Sequence, residues 1–128
     1  MQTMWQFTIG RFTIRAAIQP SQDLDLSWCE TGETARNLDS GLWEAFDTCV
    51  SVEFNGVEIA SDWLCQSIYA DPREFFTDHR CPDPMGRNCS LMRAARGDNV
   101  AICHYFPDMV RTAIAEARTW LASARLAA

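Results

Sequence analysis

The stretch FDTCVSVEFNGVEI, residues 46–59, does more than any other to limit how this chain can fold. Phe46, Thr48, Val50, Val52 and Phe54 alternate with Asp47, Cys49, Ser51 and Glu53, the period of two that puts one set on each face of a strand. Asn55–Gly56 then supplies the two residues that tolerate positive φ in a type I′ turn, and Val57-Glu58-Ile59 returns along the first strand. A hairpin is therefore predicted, with Asp47, Glu53 and Glu58 projecting from its polar face.

The same period marks further strands. Trp5, Phe7 and Ile9 alternate, as do Phe12 and Ile14 after a turn or bulge at Gly10–Arg11. In DLDLSW, residues 23–28, Leu24, Leu26 and Trp28 alternate with Asp23, Asp25 and Ser27, beyond a loop at Pro20–Ser21. Residues 32–40 suit a short helix closed by Gly41. From Ser61 the pattern reads as helical: Ser61 can cap a short helix through Ile68. Asp71-Pro72-Arg73-Glu74 opens another, with Asp at the cap and Pro at the first position, which stops near His79. Ser90–Arg96 suits one or two further turns, and residues 99–105 read equally as strand or buried loop. Val110, Ala113, Ile114, Ala117, Leu121 and Ala124 follow helical spacing from about Asp108 to Leu126. Strands first and helices second predict a single α+β domain over 1–128, with strands mainly in 4–60 and helices mainly in 61–126. The helices are expected to cover one face of an antiparallel sheet.

The 128 residues suffice for one domain, and 48% hydrophobic content places it among globular chains. Five tryptophans are available, and most are expected in the core. No lysine occurs: all eleven basic residues are arginine, a planar fork suited to carboxylates and phosphates. The charges are segregated. From Asp23 to Asp62 ten acids face one arginine, Arg36, for a balance of −9; from Arg80 to Arg96 four arginines face Asp83, for +3. The N-terminal sequence lacks the apolar run of a secretory signal, and no window approaches the ~18 apolar residues of a membrane span. A cytoplasmic protein is expected, with its six cysteines reduced.

The segment DHRCPDPMGRNCSLMRAARG, residues 78–97, concentrates the chemistry-bearing side chains. His79, Cys81 and Cys89, with Cys103 or His104 as the fourth ligand, could form a zinc site, but the seven residues between Cys81 and Cys89 do not match a compact knuckle. Scattered buried thiols are the simpler reading, so no cofactor is expected and zinc is the alternative. Pro82 and Pro84 interrupt regular pairing, which makes residues 80–89 a surface loop. Cys103–His104 are adjacent in sequence, which is poor geometry for a nucleophile and its base. The glycines stand isolated, so no phosphate-binding loop is present. Arg111, Arg118 and Arg125 recur every seven residues and form a stripe on the final helix.

The stretches SDWLCQSIYADPREFFTDHR, 61–80, and CHYFPDMVRTAIAEARTWL, 103–121, resemble small accessory proteins of proteobacterial phages and integrative elements, a group that includes anti-CRISPR and other anti-defence inhibitors. The resemblance implies a non-enzymatic protein whose acidic surface occupies a nucleic-acid-binding groove, and it assigns no residues. The residues themselves point to an acidic surface of Asp23, Asp25, Glu30, Glu33, Asp39, Glu44, Asp47, Glu53 and Glu58 facing a basic partner. A lesser basic surface would comprise Arg87, Arg93, Arg96, Arg111, Arg118 and Arg125, which could meet an anionic partner or the acidic face of a second copy. Direct binding to nucleic acid is disfavoured by the net charge of −6 and pI near 4.7. No membrane partner is expected. The alternative is a small zinc-binding or thiol-dependent protein centred on residues 79–104.

Overall fold

The structure, a computed structural model, describes residues 1–22, 24–28, 30–79, 95 and 105–127. It is α+β. Four strands, β1 (Gln2–Ile9), β2 (Phe12–Pro20), β3 (Glu44–Phe54) and β4 (Val57–Tyr69), form one antiparallel sheet in the order β1-β2-β3-β4. Helix α1 (Glu33–Asp39) interrupts the β2–β3 connection, α2 (Pro72–His79) follows the sheet, and α3 (Tyr105–Ala127) packs on β4 and β3.

The local signals explain the hairpins. Asn55 and Gly56 have φ of 52° and 80°, and Phe54 pairs with Val57, so the turn holds two residues, both at positive φ. At the first hairpin Ile9 pairs with Phe12 around Gly10, whose φ is 57°. Asp71 opens α2 as its side chain predicts: its Oδ1 accepts the Arg73 N–H at 3.0 Å.

One face of the sheet carries the core. Phe46, Thr48, Val50 and Val52 on β3 are buried there, beside Ile14 and Ala16 on β2 and Trp5 and Phe7 on β1. Helix α3 lays Phe106, Val110, Ala113, Ile114 and Ala117 against them. Its alanines allow close approach, while Leu121 is half-buried and Ala124 exposed, so docking ends near Ala117. A chain of rings crosses this layer. Trp5 meets Phe106 edge-on at 5.6 Å, Phe106 meets Phe75 of α2 at 5.5 Å, and Phe75 meets Phe46 at 5.5 Å and Tyr69 at 5.3 Å. Such edge-to-face pairs are favourable beyond the area they bury. The opposite face is polar: Arg15 pairs with Glu53 at 3.1 Å and donates to Gln6.

Four expectations are corrected. Residues 61–68 are not a helix; they belong to β4, so the strand half of the chain runs to Tyr69 and not to residue 60. β3 supplies the backbone partners that fix this, and pairing overrides a local cap signal at Ser61. Residues 24–28 are not a strand. The Asp25 carboxylate accepts the Ser27 N–H at 3.0 Å, and this side-chain turn bends the chain despite its alternation. Most tryptophans lie outside the core: Trp5 alone is buried, Trp43 is half-buried, and Trp28, Trp63 and Trp120 are exposed. The register places Trp63 opposite Cys49, on the polar face, and Trp120 follows Ala117 where α3 leaves its contact. Finally, α3 begins at Tyr105, three residues earlier than its apolar spacing indicates, because Pro107 is tolerated in a first turn.

Candidate functional site

The acidic residues collect mainly on the connection between β2 and β3, whose shape follows from a few hydrogen bonds. The Ser21 N–H donates to the Ala45 carbonyl at 3.1 Å, extending the ladder one residue past β2. After the Asp25–Ser27 turn, Gly32 adopts φ of 70° and α1 begins. The helix closes with the Ser40 N–H on the Arg36 carbonyl and the Gly41 N–H on that of Leu38, Gly41 having φ of 80°. The Trp43 N–H then donates to the Asn37 carbonyl at 3.1 Å, tying the start of β3 back to the helix.

On this frame Asp25, Glu30, Glu33, Asp39 and Glu44 are all exposed. Hydrogen bonds from Ser27 hold the Asp25 carboxyl below its ordinary range, so it stays ionised. Arg36, the one cation among the described residues of the connection, donates to the Thr31 carbonyl at 3.3 Å. The other acids are distributed differently. Asp47 accepts hydrogen bonds from the Ser21 hydroxyl and the Gln66 N–H, and Glu53 is paired with Arg15. Glu58 is exposed beside the β3–β4 turn, at the far end of a strand roughly 30 Å long. Asp23 lies outside the described residues. The predicted block is thus four exposed acids on the connection with Glu44 at the start of β3, two residues engaged within the sheet, and one outlier at the far hairpin.

Beside the cluster lie two cavities that composition did not foretell. One, about 740 Å³, is bounded by the connection-side ends of β1, β2 and β3 together with Leu24, Leu38 and Trp43. The second, about 480 Å³, is a groove lined by Trp28, Thr34, Trp43, Ile68, Tyr69 and Ala70. Trp43 is common to both. In sequence these aromatics look like core residues; only the return of the connection across the end of β4 brings them together.

No protein-family model matches this chain, and neither a curated protein nor a solved structure matches it.

The basic stripe is partly described. Arg111 is half-buried, Arg118 and Arg125 are exposed, and Arg118 donates to the Ala95 carbonyl at 3.4 Å. Arg87, Arg93 and Arg96 lie outside the described residues, as do Cys81, Cys89 and Cys103, the loop expected at 80–89 and, apart from Ala95, residues 90–104. His79 is the last described residue of α2. Among the described residues no group of three or more His, Cys, Asp or Glu could hold a metal ion. Cys49 is buried and Cys65 exposed, both as free thiols. Burial, reinforced by Glu58 and Asp62, pushes the Cys49 thiol up to about 11, so it is a poor nucleophile at neutral pH. No helix among the described residues is long and apolar enough to cross a membrane.

Proposed function

We propose that this is a non-enzymatic binding protein whose acidic β2–β3 connection covers a basic surface on a nucleic-acid-handling complex, displacing nucleic acid by occlusion. The observation that carries the reading is the exposure of Asp25, Glu30, Glu33 and Asp39 on one connection, with Glu44 exposed at the start of β3, while the described arginine of the connection, Arg36, is engaged by the Thr31 carbonyl. Carboxylates gathered this way create a field that steers a basic partner and repels nucleic acid. The resemblance to anti-defence inhibitors supports a target within a host-defence complex. In this reading Asp47 and Glu53 stabilise the sheet, and the contact is made by the connection.

The test is competition. A basic nucleic-acid-binding defence complex should release its DNA or RNA as this protein is titrated in, with an association rate that falls as salt rises. Reversing Glu30, Glu33 and Asp39 to arginine should slow association by on the order of 10-fold or more at low salt. An association rate unchanged by that triple reversal at low ionic strength would sink the proposal.

A further inference from the structure

The groove between Trp28, Trp43 and Tyr69 invites a second step, which rests on reading the acidic connection as a partner-facing surface. We infer that this groove seats an arginine side chain presented by the basic partner. Trp28, Trp43 and Tyr69 line it, the Tyr69 ring being backed by Phe75, with Ile68, Ala70 and the buried Thr34 completing the wall. At about 480 Å³ it falls within the ~300–1,000 Å³ of typical ligand sites. Trp28 is 63% exposed, so much of its ring is left for a ligand to cover. Trp43 is anchored to α1 by its backbone bond to Asn37, so one wall is fixed in advance.

Charge then selects the occupant. Glu33 precedes Thr34 in sequence, Glu44 follows Trp43, and Glu30 lies two residues past Trp28; all three carboxylates are exposed. Aromatic faces attract cations through their quadrupole, and neighbouring carboxylates add a second attraction for the same charge. The groove's own lining carries no carboxylate, so these three act from beside it: a neutral apolar ligand would gain nothing from them, and an anion would be repelled. Among cationic side chains the guanidinium fits best, because its plane stacks on an indole while its edge donates to carboxylates. The groove therefore supplies an anchor, and the wider acidic surface supplies the steering.

Titration of the nitrogen-15-labelled 128-residue protein with the capped peptide acetyl-Gly-Arg-Gly-Arg-Gly-amide tests this. The indole N–H signals of Trp28 and Trp43 should shift and saturate, and that of Trp5, buried under α3, should not. The same peptide with citrulline in place of arginine should produce no shift. Trp28→Ala should weaken arginine-peptide binding about tenfold, and an unchanged Trp5 signal will show that the fold persists. Equal binding of the citrulline peptide would overturn the inference, since the groove would then read no charge. Binding that survives Trp28→Ala but is lost in Glu30→Gln/Glu33→Gln would also overturn it, while leaving the acidic surface intact as the docking face. Shifts of the Trp28 and Trp43 signals with protein concentration alone would assign the groove to a second copy and reject a separate partner. If neither peptide binds, the groove fails; the displacement experiment then decides independently whether the acidic surface fails with it.

Discussion

The Asp47 carboxylate accepts the Gln66 N–H at 2.9 Å across the β3–β4 pair and also receives the Ser21 hydroxyl. Phe46 pairs with Ser67 but Thr48 pairs with Leu64, so Cys65 and Gln66 together stand opposite Asp47. Gln66 takes φ of 59° within this bulge, which removes an N–H from the regular ladder. Asp47 takes up that N–H and fastens the start of the β2–β3 connection with the same side chain.

Asp47→Ala should therefore destabilise the fold by about 1.5–3 kcal/mol, the range for hydrogen bonds to a charged acceptor. Asp47→Asn keeps an acceptor oxygen and should cost less. Urea unfolding of the two variants measures the difference. A parent-like midpoint for Asp47→Ala would mean that strand pairing alone holds the bulge.

Docking of α3 depends on Ile114, only 1% exposed, between the fully buried Ala113 and Ala117. Ile114→Asp would bury an unpaired charge and should cost about 3 kcal/mol or more. Ala117→Leu should overpack the contact and cost about 1–3 kcal/mol. Thermal melts of both variants check this. An Ile114→Asp protein that melts like the parent would contradict the packing of α3 on the sheet.

The two described free thiols should separate in alkylation. At pH 8 Cys65, exposed on β4, should react with iodoacetamide first, followed by peptide mapping to locate the label. Cys49 should stay unmodified in the native protein and become reactive only as pH approaches about 11 or on unfolding. Equal labelling rates at pH 8 would show that Cys49 is not sheltered.

Asp62 sits opposite Val50 on the core-facing side of β4. Burial raises its carboxyl above the usual 3.8, Asp108 and Glu116 of α3 add to the effect, and a backbone bond from Trp63 opposes it. A carboxyl with a raised folded-state pKa holds its proton more tightly folded than unfolded. Its contribution to stability is therefore lost as pH rises from 3.8 through the raised value. Asp62→Asn should be more stable than the parent at pH 7, with the difference shrinking toward pH 3. Urea midpoints across that range test the sign, and a destabilised variant at pH 7 would reverse it.

Some of this protein was legible in its sequence because the relevant forces act within a few residues. Asn55–Gly56 imposes a two-residue turn through φ alone, Gly41 ends α1 in the same way, and the Asp71 side chain bonds the second residue beyond it. The 3.6-residue apolar spacing from Val110 to Ala117 selects the buried face of α3 whatever it packs on. Those signals are sufficient for an α+β fold with helices on one sheet face.

Tertiary structure decided what local signals leave open. Residues 57–69 carry a cap-like Ser61 and a period broken by the bulge at Gln66; backbone pairing to β3 makes them one strand. Leu24 to Trp28 alternate as a strand should, yet Asp25 spends its carboxylate on a turn and the alternation has no ladder to join. The nine acids formed one block in sequence, but a strand carries its two ends far apart. Glu58 is thereby separated from the connection, while Asp47 and Glu53 find partners on neighbouring strands. The groove of Trp28, Trp43 and Tyr69 had no sequence signature, because its walls come from three separated positions that meet only when the connection folds back over the end of β4. Side-chain periodicity and caps are properties of adjacent residues; register, bulges and shared cavities are set by residues distant in sequence, and only the assembled sheet brings those together.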